Sequence, residues 1–320
     1  MTAPNQGHSG PNGHGPGGSA GDIAWSAERA AAPGPTRSDP VGYAGQARYA
    51  DPAAYANPAV HADPGAYADP GAYADPAASR APAGPSALRI VWIYPDLLST
   101  YGDRGNLIVL TRRARLRGIR VEPVEVNSDQ PVPRQGDIYL LGGGEDLPQV
   151  LAARRLRAGG GLSGAVAAGA VIFAVCAGYQ LIGAVFGGAQ GEPVEGLGIL
   201  DISSGRGERR GVGEVLADVD PRLGVDQLTG FENHQGVTRL GQGARPLAKV
   251  VLGVGNGDGT EGAYADRILG TYLHGPALVR NPGLADLLLS WAAGSLPPLT
   301  DEDEIWTRRL RSERLAAVTG

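Results

Sequence analysis

Gly169-Ala-Val-Ile-Phe-Ala-Val-Cys176-Ala-Gly178-Tyr-Gln180 decides the fold. An apolar run stops at a small-residue turn and a helical pattern begins beyond it, as expected where a buried strand feeds a helix. Cys176, the only cysteine in 320 residues, sits on the turn itself. A side chain on such an elbow projects above the edge of a parallel sheet, and the N-terminal N–H groups of the following helix point at it. An isolated cysteine at the end of an apolar run is also an ordinary small buried residue. Three further features turn the reading toward a nucleophile. Ala174, Ala177 and Gly178 are small enough for a tight elbow, a glycine turn follows an earlier strand in Leu141-Gly142-Gly143-Gly144-Glu145-Asp146, and His274 ends Arg267-Ile-Leu-Gly-Thr-Tyr-Leu-His274. Nucleophile, oxyanion donors and base are then all present.

Outward from the elbow, residues 87–320 alternate short apolar runs with amphipathic stretches, the pattern of a mostly parallel sheet flanked by helices. Strands are expected at Leu88–Tyr94, Val121–Val126, Asp137–Leu141 and the run into Cys176. A helix is expected over 106–117 with Asn106 as its N-cap, and helical patterns over 147–168. From Gly196 to Leu273 the sequence changes to short β-like pieces with glycine-rich turns, which predicts a mixed β extension. Helices close the chain at 282–293 and 301–317; the charged face of the last is solvated, or its Trp306, Leu310 and Leu315 meet a partner.

Residues 1–86 read differently. Gly, Pro, Ala, Ser, Asn and Asp dominate, and the apolar content is almost all alanine, so the segment cannot bury enough surface to offset chain entropy and is expected to be disordered. It carries a hexad repeat, Tyr49-Ala-Asp-Pro52, Tyr55-Ala-Asn-Pro58, His61-Ala-Asp-Pro64, Tyr67-Ala-Asp-Pro70 and Tyr73-Ala-Asp-Pro76. This reads as a spacer, with a multivalent docking strip as the alternative. No signal-peptide core precedes it and no later stretch approaches the ~20 apolar residues of a membrane span, so a cytoplasmic protein is expected. One cysteine excludes a disulfide framework and a cysteine-based zinc site, and a net charge of −5 argues against nucleic-acid binding. No metal site assembles with normal ligand spacing.

In an amide-hydrolysing site the thiolate attacks a carboxamide carbon, a histidine carries the proton to departing ammonia, and backbone amides hold the oxyanion. Cys176 is the candidate nucleophile and His274 the acid–base group. The amides of Ala177 and of Gly143 or Gly144 are the oxyanion donors, glycine letting a peptide approach the substrate with no Cβ in the way. His234, in Glu232-Asn-His-Gln-Gly236, is the rival base; His274 is preferred because it ends a strand, which leaves His234 to shape the pocket.

These residues resemble class I glutamine amidotransferases, whose signature is a strand, a small residue, Cys, any residue and Gly, with a catalytic histidine near the C-terminus. Within that class, which has a flavodoxin-like sheet, the chain is similar to the cobyric-acid-synthase-like group and to the glutaminase subunits of lipid II isoglutaminyl synthases. Tyr94-Pro-Asp, Tyr101-Gly-Asp-Arg-Gly-Asn106, Gly143-Gly-Glu-Asp146, Cys176-Ala-Gly-Tyr-Gln180, Gly230-Phe-Glu-Asn-His234 and Tyr272-Leu-His-Gly-Pro276 carry the likeness over about residues 88–295. The resemblance implies hydrolysis of L-glutamine and delivery of ammonia to a Mur-ligase-like subunit in a heterodimer. That partner uses ATP and Mg to activate the α-carboxylate of D-glutamate in the stem peptide of lipid II. No cofactor is expected in this chain, which has no Walker-type sequence. The resemblance also implies that Arg210 holds the glutamine α-carboxylate, where a guanidinium fork fits, the alternative being a surface arginine on a β-edge. Gln180 and His234 are implied to line the pocket.

One position departs from the class. Many members place a glutamate two residues after the histidine, and here that residue is Pro276. Either Cys176 and His274 act as a dyad, or another carboxylate orients the ring, the preferred source being the partner ligase. Two other functions compete: the glutaminase module of cobyric or cobyrinic acid amidation, and a non-catalytic interaction protein on the same fold.

Overall fold

The structure, a computed structural model, describes residues 87–319. The low-complexity segment and its hexad repeat lie outside the described residues. Strands β1 (Leu88–Ile93), β3 (Ile138–Leu141) and β4 (Val171–Val175) are almost wholly buried along their length. Continuous apolar runs of this kind form the centre of a parallel sheet with both faces covered. Each large aliphatic side chain they take from water contributes roughly 1.5–3 kcal/mol.

Helix α1 (Arg104–Leu116) and β2 (Val121–Val126) follow β1; α2 (Asp146–Gly159) and α3 (Gly161–Ala167) lie between β3 and β4; α4 (Ala177–Leu181) follows the elbow. Then come β5 (Val185–Gly187), β6 (Pro193–Glu195), β7 (Ile202–Val219), β8 (Leu228–Leu240), β9 (Arg245–Leu252), β10 (Thr260–Ala265) and β11 (Ile268–Thr271). Helices α5 (Ala277–Arg280), α6 (Pro282–Ala293) and α7 (Asp301–Thr319) close the chain. The sheet order is β2-β1-β3-β4-β11-β10-β9-β7-β5-β6, with β8 paired to β7. The first five strands are parallel, and antiparallel pairs β11–β10, β10–β9 and β9–β7 extend them. The doubly wound parallel core and the mixed extension are as expected. The order 2-1-3-4 followed by β11 is the flavodoxin-like one, whose binding crevice lies at the carboxyl ends of the strands.

Three local expectations change. The region after Gly196 is built on one long hairpin: β7 has 18 residues and β8 13, too glycine-rich and irregular in alternation to show as continuous strands. Asn106 lies inside α1, its side chain accepting the Leu278 amide at 3.0 Å, and Asp103 is the N-cap by position without capping through its side chain. Finally, β11 ends at Thr271, because the Tyr272 amide donates to buried Glu261 (2.9 Å) and the Leu273 amide to the Thr271 hydroxyl (3.1 Å). His274 lies beyond the strand in an isolated bridge with Phe231.

Helices α1, α6 and α7 are joined by a charge cluster. The Arg113 side chain, 5% exposed, reaches Asp286 at 2.7 Å and Glu304 at 2.6 Å, and Arg117 shares Asp286 at 2.8 Å. Among the described residues no helix is long and apolar enough to cross a membrane.

Candidate active site

Cys176 adopts φ 50°, ψ −105°, a conformation that L-residues avoid. The strain is held from both sides: the Cys176 amide donates to Thr271 O (2.8 Å) and the Gly178 amide to Gly142 O (3.1 Å). Gly178 is required by contact, since a Cβ there would lie 2.8 Å from Leu141 Cβ. Strained, over-determined backbone of this kind is typical of a nucleophile elbow. The helix behind it has only five residues, so its contribution is the free N–H groups of one first turn.

His274 is wholly buried, its ring edge-on to Tyr101 with centroids 4.8 Å apart. Its Nδ1 stands 3.5 Å from Oδ1 of Asp103, an ion-pair contact longer than a formed hydrogen bond, and neither ring nitrogen has a well-aligned partner. Such contacts tighten when the reacting group is in place. Burial alone would favour the neutral ring; the Asp103 carboxylate and the Cys176 sulfur outweigh it and lift the His274 pKa to about 9. A carboxylate of this chain thus faces the ring, although the position two residues after the histidine is Pro276. Asp103 lies in Tyr101-Gly-Asp-Arg-Gly-Asn106, a motif whose chemical role the sequence left unstated, and it is a second candidate beside the carboxylate expected from a partner.

The glycine turn is also divided between roles. The Gly143 amide donates to Asp103 Oδ2 at 2.5 Å, so its N–H is engaged there and not turned toward the pocket. A Cβ on Gly143 would stand 2.6 Å from both His274 Cε1 and Thr100 Oγ1. Gly144 and Ala177 line the pocket beside Cys176. They are the placed oxyanion candidates, and the Ala177 amide, first in its helix, lies outside the helical ladder. Gly143 instead holds the carboxylate that faces the histidine.

Arg210, Gln180 and His234 line the same pocket. Pairing of β7 with β8 runs through Arg206↔Gly236 and resumes at Gly211↔His234, so residues 207–210 bulge opposite Gln235. A bulge re-aims side chains off the ladder, and this one carries Arg210 to the pocket. Gln180 is held at both ends, its Nε2 donating to Tyr272 Oη (3.1 Å) and its Oε1 accepting from Gln149 (3.0 Å). It forms a fixed wall. His234 stacks on Tyr272 at 3.8 Å, its Nδ1 2.9 Å from Gly236 O and its Nε2 3.3 Å from Glu232. Its nitrogens are engaged with Gly236 and Glu232. Glu145, Asp146 and Arg206 also line the pocket and were not singled out from the sequence; only the Gly-Gly-Glu-Asp motif hinted at the first two. Charges of both signs around a thiol suit a zwitterionic amino acid.

The sequence profile of CobB/CobQ-like glutamine amidotransferase domains matches residues 89–282. The chain belongs to this family. Among members of the CobB/CobQ-like group and its relatives, it is 37% identical over 209 residues to the lipid II isoglutaminyl synthase (glutamine-hydrolyzing) subunit GatD of Staphylococcus aureus, covering 64% of this chain and 84% of that one. The subunit of the same name from Streptococcus pneumoniae is 34% identical over 217 residues, covering 65% and 81%. A cobyric acid synthase of Sphingopyxis alaskensis is 33% identical over 182 residues, but only 34% of its length is matched. The amidotransferase resemblance is borne out, and the GatD subunits are matched over more than four-fifths of their length.

Proposed function

We propose that this chain is the glutamine-hydrolysing subunit of a lipid II isoglutaminyl synthase. The observation that carries the reading is the only cysteine of the chain, strained on its elbow beside a buried His274 whose pKa is lifted to about 9, in a chain that matches GatD subunits over more than four-fifths of their length.

In this mechanism the Cys176 proton passes to His274 and the sulfur attacks the side-chain amide carbon of glutamine. The amides of Ala177 and Gly144 hold the tetrahedral oxyanion. His274 then gives its proton to the nitrogen, ammonia leaves, and a thioester remains on Cys176. Water, deprotonated by His274, attacks the thioester; glutamate is released and the thiol restored. Asp103 keeps the ring oriented and balances its charge throughout. Arg210 takes the α-carboxylate through its guanidinium fork.

Ammonia is handed to a Mur-ligase-like partner in a heterodimer, which uses ATP and Mg to activate the D-glutamate α-carboxylate of lipid II and so amidates peptidoglycan precursors. This chain acts in the cytoplasm, at the inner membrane face through the lipid II that its partner holds. The test is co-expression with a Mur-ligase-like protein of the same genome, with mass spectrometry of lipid II after incubation with glutamine and ATP. The expected product carries an OH-to-NH2 exchange on the stem peptide. Cys176→Ser abolishes it with glutamine and retains it with free ammonia. Glutamate release without that product would overturn the acceptor, and glutamine-driven product from Cys176→Ser would overturn the site.

A further inference from the structure

Three side chains that line the pocket are joined in a strap. Arg210 Nε donates to Asn233 Oδ1 at 2.6 Å, and Asn233 Nδ2 donates to the Tyr101 hydroxyl at 2.6 Å. The Tyr101 ring meets His274 edge-on at 62°. The strap thus runs from the arginine proposed for the α-carboxylate to the acid–base histidine, and the hydrolysis steps above use neither Asn233 nor Tyr101.

Its polarity is fixed by chemistry. Arg210 has only donors, so the Asn233 oxygen must face it and the Asn233 NH2 must face Tyr101. With Nε engaged by Asn233, the two terminal nitrogens of Arg210 remain for a carboxylate. Pinning a long, exposed side chain beforehand lowers the entropy lost on binding. At the other end Tyr101 has φ 54°, a left-handed conformation in a non-glycine residue, and the tyrosine is 45% exposed. A half-exposed ring held in a strained backbone against a buried histidine is a sign of function.

We infer that Asn233 and Tyr101 are positioning residues that make hydrolysis conditional on the α-carboxylate of the substrate. The strap is joined before substrate arrives; a carboxylate seated on the two terminal nitrogens of Arg210 completes the bonding of the guanidinium and so holds Asn233, the Tyr101 ring and, with it, His274 against Cys176. A carboxamide lacking the α-carboxylate then reacts slowly even when bound. The inference rests on the glutaminase reading and adds where that specificity is read.

The test uses the full-length chain and follows covalent labelling of its single cysteine by intact mass, which requires no partner and no turnover. Two reagents are compared, the diazoketone analogue of glutamine and the same diazoketone without its carboxylate, with iodoacetamide as a measure of simple thiol access. In the wild type the carboxylate raises the maximal labelling rate as well as the affinity. Tyr101→Phe keeps the ring against His274 and loses the hydroxyl; Asn233→Ala removes the relay. Each lowers the maximal rate with the glutamine reagent by up to roughly ten-fold, the upper worth of one neutral hydrogen bond. The rates with the carboxylate-free reagent and with iodoacetamide stay as in the wild type, and the double variant is no slower than either single one. Equal losses with both diazoketones, or no loss, would overturn the inference and leave the glutaminase reading standing. A wild-type chain that the glutamine reagent does not label preferentially would overturn both.

Discussion

Asp103→Asn isolates the electrostatic part of the site. The Gly143 N–H can be met only by an acceptor, so in the variant the amide oxygen takes the place of Oδ2, now 2.5 Å from that nitrogen, and the glycine turn stays put. The NH2 of asparagine then faces His274 and forces Nδ1 to accept, the wrong tautomer for a ring that must take a proton from the thiol. Asp103 is the leading cause of the upward shift of His274 from 6.5 to about 9. Without it, burial is opposed by Cys176 alone and the pKa of the ring falls. A shift of that size is worth at most ~3 kcal/mol. The sign follows from a folded-state pKa above the unfolded one: the contribution is fully present below pH ~6.5 and is lost as pH rises through about 9. Urea unfolding of wild type and variant from pH 6 to pH 10 is the assay. The wild type is the more stable at the acid end, by up to ~3 kcal/mol, and the gap closes toward pH 10. Glutamate release falls by up to on the order of ten-thousand-fold, the cost of the wrong tautomer in a triad whose orienting aspartate becomes asparagine. A stability gap that does not change with pH, or a variant with full activity, would refute the role given to Asp103.

Gly143→Ala brings a methyl group to 2.6 Å from Thr100 Oγ1 and from Cε1 of His274, a wholly buried ring with little room to move. Glutamate release is expected to fall at least ten-fold with circular dichroism unchanged, one kilocalorie or more of misplacement at the reacting ring. Cys176→Gly relieves φ 50° at the elbow and is expected to raise unfolding free energy by roughly 1 kcal/mol while abolishing activity, read by thermal melts and glutamate assay. Arg113→Ala leaves Glu304 without its partner and is expected to cost about 3 kcal/mol in urea, with early loss of the C-terminal helix, since it breaks a largely buried ion pair.

The sequence by itself determined the elements whose physics is local. The continuous apolar run 171–175, stopping at small residues, could be little other than a central parallel strand feeding an elbow, and Pro282 after Asn281 set the start of α6 where it is found. Cys176, His274 and the glycine turn were legible because a nucleophile, a base and oxyanion donors restrict residue type strongly, whatever surrounds them. Only the tertiary structure decided how they are wired. Asp103 precedes His274 by 171 positions, and nothing in its motif says that one oxygen faces Gly143 and the other the histidine ring. Arg210 reaches the pocket through a bulge in a long hairpin whose glycines and charges conceal strand periodicity. Asn233 bridges to Tyr101 across 132 positions. Strand and turn preferences act over a few residues, whereas a hydrogen bond needs about 3 Å of proximity that only the closed chain supplies.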